Sequence, residues 1–412
     1  ISNDSEWNTE WDEASPGGNN WGIEAIRLES ALINLGVIAN ETASSADADV
    51  SGLHNIKIGL MDSAFDEWHE DLRFTQTWNN FTTLADLVSS GENHGTHVAG
   101  TMGALFNNGD GITGISVKNR LYGYSFNGNT DLNLANASTI FEYKYALVSL
   151  IGNNVKVINL SWGYRAIGFG ASQDVSSAKL FMIENANIIE PFLEKLIDKG
   201  YEFLLVMSAG NGNNVNYYEN PGSTAGYVSV VDYNANPTAY PDADTTTTYG
   251  APNSSATNIL NEVDAQYNHF LSYVKKYKIS SRILCVGSVD SSYSLSAFSN
   301  VGSRVDILAP GESIYSSGIT GTHSGGNYYS TGGTSMSAPH VSGTLGLAFS
   351  INPAIEASRL KNIVKANARN IRLETRFLDA ADTIEWTMYV LDILTETGEN
   401  TSNNQYNGIA IG

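Results

Sequence analysis

The sequence predicts an α/β fold, with a mainly parallel central sheet and helices on both of its faces. Three observations carry this reading. Short, nearly continuous apolar runs rich in β-branched residues recur along the chain; helical stretches separate them; and glycine is abundant, at 39 of 412 residues. Parallel strands covered on both faces read as unbroken apolar runs, because neither side chain set meets water. Glycine suits the tight turns between strand and helix, and alternation of the two element types argues for an α/β sheet.

In chain order, Ile56–Met61 (IKIGLM) reads as the first buried strand and Thr96–Leu105 as a helix of small residues. Val155–Leu160 (VKVINL) is the second strand, and Leu180–Lys199, alternating apolar and charged positions, a helix. Phe203–Met207 (FLLVM) is the third strand, and an amphipathic pattern predicts a helix over Glu262–Tyr277. Ile283–Val289 and Val305–Leu308 complete the strands, followed by helices from near Ser337 to Ser350 and over Ile355–Ala368. Length alone allows one large domain or two ordinary ones, behind a polar N-terminal extension at 1–20 and before a tail at 395–412. Two surface insertions are expected, at about 164–182, with its GFGASQ passage, and at about 213–279, which carries NPTAYPDADTTTTYGAP.

Composition narrows the function. Lys and Arg total 22 against 43 Asp and Glu, a formal net charge of −21, so a phosphate backbone is repelled and nucleic acid is not an expected partner. No apolar run approaches the roughly 18 residues of a membrane span. The single Cys285, inside an apolar strand, excludes an internal disulfide and a cysteine zinc cluster and reads as a buried, inert thiol. Low basic content suits a secreted or cell-surface protein, while the lack of disulfides suits an intracellular one equally.

The chemistry lies where the strands end, the edge at which open α/β sheets bind ligands. Asp62 ends the first strand. Asn159-Leu160-Ser161-Trp162-Gly163 ends the second and Ser208-Ala209-Gly210-Asn211 the third. Asn93-His94-Gly95-Thr96-His97 and Gly332-Gly333-Thr334-Ser335 each open a helix. An acid, an imidazole, a hydroxyl at a helix N-terminus and a free amide are the parts that acyl transfer requires.

The blocks DSAFDEWHEDL, NHGTHVAGT, VINLSWG, SAGN and GGTSMSAPHVSG, in that order, resemble the signature blocks of the subtilisin-like serine proteases, the subtilases. The resemblance spans about 21–394 apart from the insertions. It implies a three-layer subtilisin-like fold and a serine endopeptidase acting on polypeptide substrates, with no cofactor required for the chemistry. Ser335 matches the nucleophile, although GTS alone would read better as a helix N-cap. His94 matches the general base, and His97, one turn on, its structural companion; His340 reads as a core residue. Asp62 matches the acid that fixes the imidazole tautomer, with Asp66 and Asp71 as neighbours able to compete. Asn211 matches the side-chain oxyanion donor beside the Ser335 N–H, though Gly-Asn in isolation is a turn.

By the same resemblance, Ser161, Trp162 and Gly163 form an edge that pairs with substrate backbone, and Ser208, Ala209 and Gly210 wall the pocket for the residue before the cleaved bond. Trp162 reads equally as a subsite residue or a structural tryptophan. A structural calcium ion is a further expectation, with Asp71 and Asn108 as side-chain ligands beside the loop Leu105–Ile112. The same Asn/Gly/Asp composition reads as a self-contained turn, so both readings stand. Subtilases are usually made with an N-terminal propeptide, and none is recognisable before Trp21. A catalytically dead binding module is the alternative function, disfavoured because all four positions hold competent residues. An α/β-hydrolase esterase is excluded, since residues 333–337 read GTSMS and the order of the triad is wrong.

Overall fold

In a computed structural model the described residues are 16–38, 48–126, 137–163, 175–211, 217–219, 227–229, 241, 244–249, 265–322, 327–371 and 376–396. The apolar runs form the middle of a nine-stranded sheet. Its strands are β1 (Ile56–Asp62), β2 (Phe74–Trp78), β3 (Asn119–Ser125), β4 (Val157–Leu160), β5 (Leu204–Ser208), β9 (Ile283–Val289), β10 (Ile307–Pro310), β13 (Arg369–Asn370) and β14 (Arg376–Phe377). A small separate antiparallel sheet holds β6 (Tyr217–Glu219), β7 (Tyr227–Ser229) and β8 (Asp244–Tyr249). Another pairs β11 (Ile314–Ser317) with β12 (Tyr328–Thr331).

The large sheet runs β13-β14-β10-β9-β5-β4-β1-β3-β2. Every pairing in it is parallel except β13 with β14. The period of two sorts its side chains into two cores. Ile58, Leu60, Leu204, Val206, Leu284 and Val286 join the core that packs the helices His94–Gly103 and Thr334–Ile351. Met61, Leu205, Met207, Ile283 and Cys285 face the opposite core, with helices Ala137–Gly152 and Val175–Asp198. This is the α/β arrangement of a sheet between two helical layers. Among the described residues, no helix is long and apolar enough to cross a membrane.

One expectation needs correction. The helix expected over Glu262–Tyr277 is instead two 3-10 turns, Ala265–Tyr267 and Phe270–Tyr273, before a short helix at Tyr277–Ser280. His269 interrupts it: its backbone is extended, and its Nδ1 accepts the Leu271 N–H at 3.1 Å, capping a new turn. Of the second expected insertion, about 213–279, the part from Ala265 on packs inward, with Ala265, Phe270, Leu271 and Ile279 buried in the second core. Most of its earlier part, all of 164–174 and residues 1–15 and 397–412 lie outside the described residues. The N-terminal segment docks from Gly18 on, with Asn20 and Trp21 buried and Trp21 Nε1 donating to the Glu312 carbonyl at 3.0 Å.

Candidate active site

Asp62 is the last residue of β1 and is 3% exposed. Its Oδ1 meets His94 Nδ1 at 2.6 Å and accepts the Ser63 N–H at 2.8 Å. The contact exists because His94 opens its helix directly over the strand end. Gly95 permits that approach: a Cβ there would lie 2.2 Å from the Ala64 carbonyl oxygen. With Nδ1–H donated to Asp62, His94 keeps its Nε2 lone pair for the cleft. Burial lowers the His94 pKa, but the Asp62 charge and hydrogen bond, with Glu92 adding, outweigh it, so the pKa lies above the ordinary histidine value.

Ser335 is the second residue of the helix Thr334–Ile351, whose N-terminus carries the positive end of the helix dipole. Its Oγ donates to the Ser161 carbonyl at 2.9 Å, and Ser161 Oγ donates back to the Ser335 carbonyl at 2.7 Å. The second bond repairs a defect. Pro339 has no N–H to offer the carbonyl four residues earlier, which is that of Ser335, and the Ser161 hydroxyl takes the vacant place. Asn159 Nδ2 donates to Ser161 Oγ at 2.7 Å, and Ser342 Oγ to Asn159 Oδ1 at 2.8 Å, so a buried polar chain ties the end of β4 to the serine helix.

Asn211 follows β5 and turns its side-chain oxygen away from the cleft. Oδ1 accepts both the Thr334 N–H at 2.9 Å and the Thr334 hydroxyl at 2.8 Å, while Thr334 Oγ1 itself accepts the Gly210 N–H at 3.0 Å. The Asn211 NH₂ is thereby left facing the space above Gly333. A Cβ on Gly333 would sit 3.1 Å from Asn211 Nδ2 and 3.7 Å from the Ser335 nitrogen. Two N–H donors thus flank a space that only glycine leaves open. Glu92, His94, Asn211, Tyr329, Gly332 and Ser335 line one cleft of ≈ 320 Å³.

The structure therefore brings Asp62, His94, Ser335 and Asn211 together at one edge of the sheet. His97 is elsewhere: it is buried, its Nε2–H donates to the Ile314 carbonyl at 3.0 Å, and burial lowers its pKa to about 3. His340 is buried too, with Nδ1 on the Met336 carbonyl. Asp66 turns to Thr320 and Trp68. Ser161–Gly163 continue from β4 outside any strand, and Asn300 holds the facing segment, its Nδ2 donating to the Ala209 carbonyl and its N–H to the Gly210 carbonyl. Trp162 packs edge-on to Phe126 and Tyr143 and tilted over His269, with centroids at 5.3, 5.7 and 4.6 Å. Its ring is built into that aromatic cluster. Sequence reading placed Gly333 and Thr334 in the GGTS block before the serine but assigned neither of them to the space beside Asn211.

Asp71 is buried. Its Oδ1 accepts from Asn108 Nδ2 at 3.0 Å, and its Oδ2 accepts from the Ile112 N–H at 3.0 Å and the Tyr328 hydroxyl at 3.3 Å.

Residues 54–407 match the subtilase family. The chain is 26% identical to Subtilisin DY of Bacillus licheniformis over 77% of its own length and 85% of that protein's. It is 27% identical to the major intracellular serine protease of Bacillus subtilis (strain 168), over 71% of the chain and 68% of the relative. In fold it resembles the crystal structure of MycP1 with the N-terminal propeptide removed, at a TM-score of 0.50 and 18% identity, covering 88% of this chain and 97% of that one.

Proposed function

The chain belongs to the subtilase family of serine endopeptidases, and from that premise we propose that Ser335, His94 and Asp62 are its catalytic triad, with Asn211 and the Ser335 N–H as its oxyanion hole. The reaction is hydrolysis of a peptide bond in a polypeptide substrate. His94 Nε2 takes the proton of Ser335 Oγ as the oxygen attacks the scissile carbonyl carbon, and returns it to the leaving amine. Asp62 holds the tautomer and stabilises the imidazolium that forms between these steps. The carbonyl oxygen, as it becomes an oxyanion, moves into the space above Gly333 and gains two hydrogen bonds that are already oriented. Water then repeats the sequence on the acyl-enzyme.

The observation that carries this reading is the 2.6 Å contact of His94 Nδ1 with Asp62 in the same cleft as Ser335 and Asn211. The Ser335 hydroxyl rests on the Ser161 carbonyl and must rotate to reach His94, as is common before substrate tightens such a site. The test is a fluorophosphonate probe followed by mapping of the adduct. An adduct on Ser335 that is lost in His94→Ala is the expected result; labelling elsewhere, or none, removes the assignment.

The loop beside the histidine helix we read as closed without a cation. Calcium wants six to eight oxygens. Here both Asp71 oxygens already accept hydrogen bonds, and Asn108 presents its amide nitrogen to Asp71. Tyr328 fills the adjoining space, since a Cβ on Gly111 would lie 2.0 Å from its hydroxyl oxygen. Burial and then the Asp71 charge raise the Tyr328 pKa, so the phenol keeps the proton it donates. Asp71 and Asn108 in this arrangement do not fit a calcium ion.

A further inference from the structure

Asn268 sits where the segments after β4 and β5, the walls that the family resemblance implies for a pocket beside Ser335, come together. Gly163 lies three residues beyond β4 and Gly210 two residues beyond β5; the two strands pair with Leu160 opposite Met207. A Cβ added to Gly163 would lie 2.2 Å from Asn268 Oδ1 and 2.3 Å from its Nδ2. A Cβ added to Gly210 would lie 2.5 Å from the same Oδ1. One amide plane is therefore pressed against both glycines and spans the gap between the walls. Gly210, with φ +96°, could not readily be another residue even without that contact.

The amide is fixed. Asn268 Nδ2 donates to the Ser208 carbonyl at 2.8 Å, and its backbone N–H to the Ala265 carbonyl at 3.1 Å. Its chain neighbour His269 is buried against Trp162, and Ala265 is fully buried, so the turn that carries Asn268 is anchored on both sides. Asn268 Oδ1, by contrast, accepts no hydrogen bond from a described residue.

An extended substrate places its scissile carbonyl on Ser335 Oγ and its backbone along Ser161–Gly163. With the substrate pairing that the family resemblance implies, the side chain of the residue that supplies that carbonyl points into the gap between the walls, towards Asn268. A long apolar side chain would strike the amide, and would strip water from Oδ1 without replacing the lost hydrogen bond. A short side chain carrying a donor fits and pairs with it. Resting on the catalytic reading above, we propose that Asn268 is the floor of this pocket and selects substrates with a short, hydrogen-bond-donating residue, serine, threonine or asparagine, on the acyl side of the cleaved bond.

The test is a set of otherwise identical fluorogenic peptides that differ only at that residue, compared by kcat/KM in wild type and variants. Wild type is expected to favour asparagine and serine over phenylalanine and leucine by about tenfold or more, the fold-change that leaving one polar group unpaired produces. Asn268→Gly, which opens the floor, is expected to reverse the order. Asn268→Asp, nearly isosteric, turns the donor towards Ser208 into an acceptor and is expected to move the preference to lysine and arginine; it reads the same floor if the glycine variant does not fold. A wild-type preference for phenylalanine, or a profile that neither variant changes, overturns the inference. The two readings fail separately: no fluorophosphonate adduct on wild-type Ser335 sinks the triad, whereas a normal adduct with an unchanged profile sinks only the role of Asn268.

Discussion

Gly333 shows how much of the chemistry depends on one missing atom. Its φ of +155° is a backbone conformation that L side chains rarely adopt, and its absent Cβ keeps the space between Asn211 Nδ2 and the Ser335 N–H open. Gly333→Ala is expected to lower kcat about 10²–10³-fold with little change in KM, the size of effect that follows loss of one oxyanion donor. Steady-state kinetics on the purified variant check this, and a loss confined to KM would contradict it. Ser335→Ala and His94→Ala are expected to lower kcat by about six orders of magnitude, the figure established for subtilisin itself, with the melting transition nearly unchanged. For pH, the base must be neutral to accept a proton, so activity rises as pH rises through the His94 pKa. Because that pKa is raised, the acid limb of kcat/KM should lie above the ordinary histidine value of about 6.5. Asp62→Asn removes the charge responsible and should move the limb down; a limb below pH 5 in wild type would point to a carboxylate base instead.

At the scale of elements, the serine helix and β4 hold each other through a pair of groups that sequence could not couple. Ser161→Ala leaves the Ser335 carbonyl without the donor that compensates for Pro339, and is expected to cost about 1–3 kcal/mol of stability. A urea titration would read this as a lower midpoint at constant slope; an unchanged midpoint would mean that another group satisfies the carbonyl. The loop at Leu105–Ile112 gives a second test: chelator is expected to leave the melting temperature unchanged, while Tyr328→Phe lowers it by removing a donor from Asp71. A fall in melting temperature with chelator, restored by calcium, would reinstate the cation. The five apolar strands were legible because burial on both faces writes them as unbroken runs. β3 was not: it reads NRLYGYS, and its tyrosines and glycine hide a strand whose last five residues are nonetheless buried. β2 sits at the sheet edge with none of its residues buried, so FTQTW carries no apolar run at all. The residues proposed as the triad were legible because each stands in a short motif at an element boundary. Asn268 was not, since its role comes from a chain reversal about a hundred residues after Gly163, which no local pattern encodes.

For the whole molecule, the decisive burials are those of three imidazoles. His97, His269 and His340 are each at most 1% exposed, and burial lowers their pKa values to about 3, about 3 and about 4. In the unfolded chain each titrates near 6.5. The folded state therefore holds them neutral while the unfolded state takes up protons, so their stabilising effect is complete above about pH 6.5 and is lost as pH falls towards 4 and then 3. At pH 5 each accounts for about 2 kcal/mol, as an order of magnitude. His94 acts in the opposite sense, because its raised pKa favours the folded state below the unfolded value, but it is one half-exposed residue against three buried ones. The 43 carboxylates give a net charge of −21, and protonating carboxylates relieves self-repulsion, yet the ordinary carboxylate range of about 4 lies below this interval. Between pH 6.5 and 5 the histidines consequently dominate. The urea midpoint of a Ser335→Ala protein, chosen to prevent autolysis, is expected to fall between pH 7.5 and 5.0, and His340→Gln should make that fall shallower. A midpoint that holds steady or rises over this interval would show that charge relief outweighs the burial of the three rings.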